Sequence, residues 1–66
     1  IHDKLIGLVF DAIVDEANKD YSVLRFYGQC PQIDGCIIVN EKLNVGQFYK
    51  IKIIDKSDYD LIGERL

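Results

Sequence analysis

The chain has 66 residues, of which 8 are Lys or Arg and 11 are Asp or Glu, so its formal net charge is −3. A chain this short buries only about 60% of the surface that its unfolded form exposes, which excludes a large active-site cavity beside its own core. Hydrophobic residues make up 48% of the sequence, yet no apolar run approaches the ~20 residues of a membrane helix. We therefore expect a single soluble domain over residues 1–66, and the lack of an initiating Met predicts that it comes from a longer protein.

The first predicted strand covers residues 6–16, where apolar and polar side chains alternate. Successive side chains of a strand point to opposite faces, so Asp11 and Asp15 are expected on the solvent side. The side chains expected to face the core are Leu8, Phe10, Ala12 and Val14.

A turn at residues 18–20 leads into a second predicted strand over residues 21–27. Either face of this strand is apolar enough to be buried. Because Arg25 prefers water or a partner, we expect Leu24 and Phe26 to point into the core.

Residues 28–35 are predicted to form a loop, since Pro31 has no N–H to donate to a sheet. A short strand over residues 36–40 follows, and it is too apolar for alternation to assign its faces. The spacing of Cys30 and Cys36 matches no zinc or iron–sulfur motif, and the sequence holds a single His. Two free thiols are the favoured interpretation, and a disulfide across the loop is the alternative for an oxidising compartment.

The clearest alternation lies at residues 48–55, where Lys50 and Lys52 point away from an apolar face. That apolar face consists of Tyr49, Ile51 and Ile53.

The last predicted strand covers residues 59–65. Tyr59 and Leu61 are expected to share one of its faces. Gly63 is expected to allow a bend or a close approach of the backbone.

Five short strands separated by turn signals predict an all-β fold, a small five-stranded antiparallel barrel of the OB-like type. Closing the sheet would also remove exposed edges, which matters in so small a domain.

No arrangement of residues for nucleophilic or acid–base catalysis is apparent, and the carboxylates of Asp58 and Asp60 are interpreted as a solvated turn. Binding is the more promising chemistry. Aromatic side chains beside basic ones on a barrel face typically hold single strands of nucleic acid, and the candidates are Arg25, Tyr27, Phe48, Lys50 and Lys52. The alternative is that both lysines only form the polar face of an amphipathic strand.

The net charge of the chain bears on whether its partner is RNA or a protein. Binding to a phosphate backbone normally needs an excess of Lys and Arg, whereas acidic residues outnumber basic ones in this chain. The charge therefore favours a basic protein partner over RNA.

Three stretches together resemble one family: residues 10–16, residues 24–35 with the loop Pro31-Gln32-Ile33-Asp34-Gly35, and residues 44–63 with the motif Tyr59-Asp60-Leu61-Ile62-Gly63. In this order and spacing the chain resembles the C-terminal TRAM domain of the methylthiotransferases. The nearest subgroup is the RimO type, which modifies an aspartate of a small-subunit ribosomal protein. The sequence departs from the family at Gln29 and Gln32, where the loop usually carries acids, and at Leu24, which replaces a glycine.

The resemblance implies a cytoplasmic parent enzyme of the radical S-adenosylmethionine type with two 4Fe-4S clusters in preceding domains. The Cys motif that would bind the radical-generating cluster is not in this sequence, so the resemblance assigns no ligand role to Cys30 or Cys36, and no cofactor or catalytic residue to this chain.

As a substrate-recognition domain, the chain would contact a basic small-subunit ribosomal protein and the preceding radical domain, and no membrane. The residues expected to bind the substrate are Arg25, Tyr27, Gln29, Gln32, Asp34, Lys50 and Lys52. One alternative is the RNA-binding TRAM domain of a tRNA adenosine methylthiotransferase. Another is a free-standing OB-type binding module.

Overall fold

A computed structural model describes residues 5–28 and 35–66. It contains five strands: β1 (Val9–Ala17), β2 (Ser22–Phe26), β3 (Ile37–Val39), β4 (Phe48–Lys56) and β5 (Leu61–Arg65). They close into a barrel in the order β1-β2-β3-β5-β4. The predicted five-stranded, OB-like barrel is therefore confirmed. Within these described ranges, no helix has the length and apolar character to traverse a lipid bilayer.

One pair of strands departs from the antiparallel pattern that the sequence predicts. Four neighbouring pairs are antiparallel, whereas β3 and β5 are parallel. An odd number of strands cannot alternate in direction all the way around a closed ring, so one pair has to run in parallel. The connection between β3 and β4 crosses over to place β4 beside β1, and β5 then returns next to β3.

Two nine-residue strands, β1 and β4, form most of the wall, and each carries an irregularity in register. The register shifts between Val14 and Glu16 in β1 and between Ile53 and Asp55 in β4. Such bulges bend a strand and increase its twist, which lets β1 and β4 each pair with two neighbours in a ring this small.

The inward positions of the strands form the core, as alternation predicts for β1, β2 and β4. In β3, whose faces the sequence left open, Ile37 and Val39 point inward and Ile38 is half-buried. Half-buried Phe10, Phe26 and Tyr49 pack against the core. The buried apolar side chains are Ala12, Val14, Leu24, Ile37, Val39, Leu43, Ile51, Ile53 and Leu61.

Two predictions about side-chain placement were wrong: Leu8, expected to face the core, lies at the surface, and Tyr59 does not share a face with Leu61. Leu8 is 48% exposed because it precedes β1 and follows a tight turn closed by its N–H bond to the Leu5 carbonyl. Tyr59 is 87% exposed. It lies in a turn closed by the bond from Ser57 N–H to the Asp60 carbonyl, so it does not share the face of Leu61.

Gly63 permits the close approach of strands that the sequence predicted. Its Cα faces the barrel interior, where an added Cβ would clash with the side chain of Ile51 and lie 3.0 Å from that of Ile37. Only a residue without a side chain fits this position while both isoleucines stay in place.

A buried hydroxyl that sequence reasoning did not single out fixes the connection between β3 and β4. Ser22 Oγ donates to the Glu41 carbonyl at 2.7 Å and accepts from Leu43 N–H at 2.8 Å. This positions Leu43 to complete the core. On the exposed side, Arg65 Nη2 contacts Glu41 Oε2 at 2.8 Å, and the hydrogen bond and negative charge of Glu41 raise the pKa of Arg65 above its ordinary value.

A candidate binding face on β2, β1 and β4

Three adjacent strands present one continuous outward surface, because β1 pairs with β2 on one side and with β4 on the other. Ile13 on β1 is the register partner of both Arg25 and Phe48. Two residues earlier, Asp11 is the partner of Lys50, and its carbonyl accepts a hydrogen bond from Tyr27 N–H at 3.0 Å. Residues directly opposite one another in a sheet share a face. We call this surface the outer face, and it consists of Asp11, Ile13, Asp15, Arg25, Tyr27, Phe48, Lys50 and Lys52.

An aromatic pair occupies the middle of the outer face. The ring centroids of Tyr27 and Phe48 are 4.7 Å apart with an interplanar angle of 80°, the edge-to-face arrangement that aromatic rings favour. Tyr27 directly follows β2 and Phe48 begins β4. Because β1 lies between these two strands, which are about 10 Å apart at two strand spacings, the rings lean toward each other over β1. Because 63% of Tyr27 and 54% of Phe48 remain exposed, the pair offers an oriented apolar surface to a partner.

Two ion pairs flank these rings. Arg25 Nε lies 3.1 Å from Asp15 Oδ1, and Lys50 Nζ lies 2.8 Å from Asp11 Oδ1. All four side chains are between 40% and 69% exposed. Pairs this exposed contribute about 0–1 kcal/mol each to stability. Their main effect is on the surface itself, where each cation is neutralised by a neighbouring carboxylate.

Lys52 is the third cation of the outer face. Its register partners are Val9 on β1 and Glu64 on β5, and it forms no ion pair with any carboxylate in residues 5–28 or 35–66. Glu64, directly across from it, is exposed. The outer face thus carries three cations and two carboxylates, and Glu64 of β5 supplies a third carboxylate beside it.

The structure brings together four of the seven side chains that the sequence singled out for substrate binding. Arg25, Tyr27, Lys50 and Lys52 all lie on the outer face, along with Phe48. The remaining three, Gln29, Gln32 and Asp34, lie outside the described residues.

Sequence reasoning did not include the two carboxylates of the outer face among its candidates. Alternation placed Asp11 and Asp15 on the solvent side of the first strand, but their cationic partners come from other strands. The register that joins β1 to β2 and β4 is a long-range property, and no local spacing in the sequence reveals it.

The described residues do not fit an iron–sulfur cluster. Such clusters are held mainly by Cys thiolates, and the one thiol in the described ranges, Cys36, is free and half-buried. Those ranges also contain no group of three or more His, Cys, Asp or Glu side chains that could hold a metal ion. The chemistry that the outer face supports is contact with a partner.

Comparison with known proteins identifies the family to which this barrel is similar. The family model described as the TRAM domain matches residues 6–66. Similar proteins include three with the name ribosomal protein uS12 methylthiotransferase RimO: 46% identical over 68 residues in Chlamydia felis, 37% over 67 in Bdellovibrio bacteriovorus and 35% over 66 in Chromobacterium violaceum. These matches cover 94%, 96% and 96% of this chain and 15% of each relative. The chain therefore spans about 15% of the length of these curated relatives.

The matched residues include all five strands and every residue of the outer face. The resemblance inferred from the sequence motifs is confirmed, and the closed five-stranded barrel agrees with it. This chain belongs to the TRAM domain family.

Proposed function

We propose that this chain is the substrate-recognition domain of a methylthiotransferase that modifies an aspartate of a small-subunit ribosomal protein. In this proposal the outer face binds the basic substrate and holds it so that one side chain reaches reactive groups on other domains of the enzyme. Positioning of this kind lowers the entropic part of a reaction barrier. The parent enzyme would use 4Fe-4S clusters and S-adenosylmethionine, which supply the chemistry of sulfur and methyl transfer.

The names of the relatives support the class of enzyme and of substrate. The pairing of two of the three outer-face cations with carboxylates of the same face is the structural observation that carries the proposal. An RNA-binding surface gains affinity when its cations release counterions from phosphates, but Arg25 and Lys50 are already neutralised by carboxylates of the same face. A protein partner can use these carboxylates, the cations and the aromatic pair together.

The aromatic pair favours a second candidate function. Exposed rings beside basic side chains are also the surface on which OB-type barrels stack the bases of single strands, and Tyr27 and Phe48 lie between Arg25 and Lys50. The chain would then be the RNA clamp of a tRNA-modifying relative. Its binding would weaken steeply with salt, and Lys50→Glu would abolish it.

Titration of the isotopically labelled chain tests both functions. We expect purified ribosomal protein uS12 at low salt to shift the backbone signals of the outer face. Tyr27→Ala and Phe48→Ala should each weaken binding about tenfold, as central aromatic contacts do in interfaces. Tyr59→Ala is the matched control, because this ring is 87% exposed and lies in the turn before β5.

Two results would contradict the proposal. One is the absence of any shift with uS12. The other is tight, salt-sensitive binding of a tRNA anticodon stem-loop that Lys50→Glu removes, which would instead establish the RNA clamp.

A further inference from the structure

Lys50 forms an ion pair with Asp11, whose carboxylate lies at the edge of the aromatic pair. Asp11 lies between Tyr27, which directly follows β2, and Lys50 on β4, and the Tyr27 ring extends over β1 toward Phe48. A planar cation above this surface would meet an aromatic ring and a carboxylate at adjacent positions. Arginine suits such a site, because its guanidinium stacks on rings and binds a carboxylate through two parallel hydrogen bonds.

The ion pair between Lys50 and the Asp11 carboxylate is weak. Lys50 Nζ contacts Asp11 through Oδ1 at 2.8 Å, and an ammonium group is a point charge without the fork of a guanidinium. The side chains of Lys50 and Asp11 are 69% and 55% exposed. Water and salt screen a pair this exposed, so exchanging its cation for another costs little.

The second ion pair of the outer face differs in a way that singles out Asp11. Asp15 is already held by an arginine, through Arg25 Nε at 3.1 Å, and it is the less exposed of the two carboxylates at 40%. At Asp15 an incoming guanidinium would exchange one guanidinium for another, whereas at Asp11 it replaces an ammonium group with a fork that can donate two parallel hydrogen bonds.

We propose that Asp11, Tyr27 and Phe48 form a receptor for one arginine side chain of the basic protein partner, and that Lys50 is a built-in competitor that the arginine displaces. This inference rests on the proposed function, since it assumes a protein partner. Displacing Lys50 costs every ligand of Asp11 the same free energy, so the preference for arginine comes from the second hydrogen bond and the ring stacking that a guanidinium adds.

The proposal predicts that removing a cation strengthens binding, in contrast to the RNA clamp, where the same change weakens it. Lys50→Met removes the ammonium group, keeps an unbranched side chain of similar shape and frees Asp11. We expect the affinity for uS12, measured by calorimetry at physiological salt, to rise about threefold, in keeping with the worth of an exposed ion pair.

Lys52→Met is the matched control for net charge. It removes one cation from the same face of the same strand, but Lys52 forms no ion pair with a described carboxylate. Any long-range electrostatic gain should be equal in the two variants. The excess of Lys50→Met over Lys52→Met therefore measures release of Asp11.

A double-mutant cycle completes the test. Asp11→Asn should weaken uS12 binding about fivefold, and in the Asp11→Asn background Lys50→Met should raise affinity no more than Lys52→Met does. Equal gains for Lys50→Met and Lys52→Met, or a loss for Lys50→Met, would overturn the receptor while uS12 binding itself still supports the proposed function. Absence of uS12 binding in every variant would overturn both.

Discussion

Two aromatic pairs of the barrel have nearly the same geometry, yet they lie on opposite faces of the same sheet. Phe10 and Phe26 meet edge to face at 5.0 Å and 89°, and they pack against the core. Tyr27 and Phe48 meet at 4.7 Å and 80° on the outer face. Phe26 and Tyr27 are consecutive residues, so a single step along the chain separates a stabilising ring from one that is available to a partner.

The comparison shows that ring geometry alone does not reveal a role. An edge-to-face pair adds about 0.5–1.5 kcal/mol beyond its buried area wherever it occurs. The larger contribution comes from apolar area removed from water, and the inner pair buries far more of it. Changes that stabilise the fold and changes that tune binding should therefore be separable at neighbouring positions.

Phe26→Ala should have the largest effect on stability. Losing a ring that packs on the core is expected to lower the free energy of unfolding by about 3 kcal/mol, the low end for Phe→Ala because Phe26 is half-buried. Urea unfolding followed by circular dichroism measures this. A loss no greater than that of Tyr27→Ala would break the distinction between the two pairs.

Ser22→Ala extends the comparison to polar groups on the inner side. The buried Leu43 N–H would lose its acceptor, at an expected cost of about 2 kcal/mol. Ser57→Ala is the matched control, because the Ser57 hydroxyl is exposed and its contacts with Asp60 are 3.3 Å long. Equal losses for the two serines would show that the bonds of Ser22 do not stabilise the β3–β4 connection.

Tyr27→Ala should change stability by less than about 1 kcal/mol, since the ring is 63% exposed and contributes mainly its edge-to-face contact. Binding of uS12 should nevertheless weaken about tenfold. Unfolding curves and titrations of the same variant give both quantities, and a large loss of stability would mean that the outer pair is structural.

Glu41→Gln should have the smallest effect, because its ion pair with Arg65 is exposed. Any loss of stability should disappear in 1 M NaCl, where charges are screened within about 3 Å. The pKa of Arg65 is raised in the folded state, so the contribution of this pair is present at neutral and mildly alkaline pH. On the alkaline side it is lost as the pH rises through that raised value. A salt-independent loss would contradict this interpretation.

The side of the sheet on which most residues lie could be predicted from alternation alone. Leu24, Ile51 and Ile53 are buried as expected, because a strand with one buried face has a period of two. The exceptions were Leu8 and Tyr59, which lie in or beside turns where the pleat is interrupted. The role of Ser22 depends on a contact with residues 41–43, far along the chain, so no local pattern predicts it.

The candidate site could be predicted in part, because alternation along a strand also shows which side chains face outward. Alternation and residue type identified Arg25, Tyr27, Lys50 and Lys52 as outward-facing. The contacts between them depend on β1 lying between β2 and β4, and a sequence without known register does not specify which strands are neighbours. The ring pair and the neutralised cations therefore became visible only in the folded barrel.

Closure of the barrel has a consequence for how partners can change over evolution. Each of the five strands in residues 5–28 and 35–66 has a neighbour on both sides, so none of them is an edge strand that another polypeptide could extend. Specificity then resides in side chains that the fold does not need, and substitutions among them can redirect the domain to new molecules while its folding remains intact.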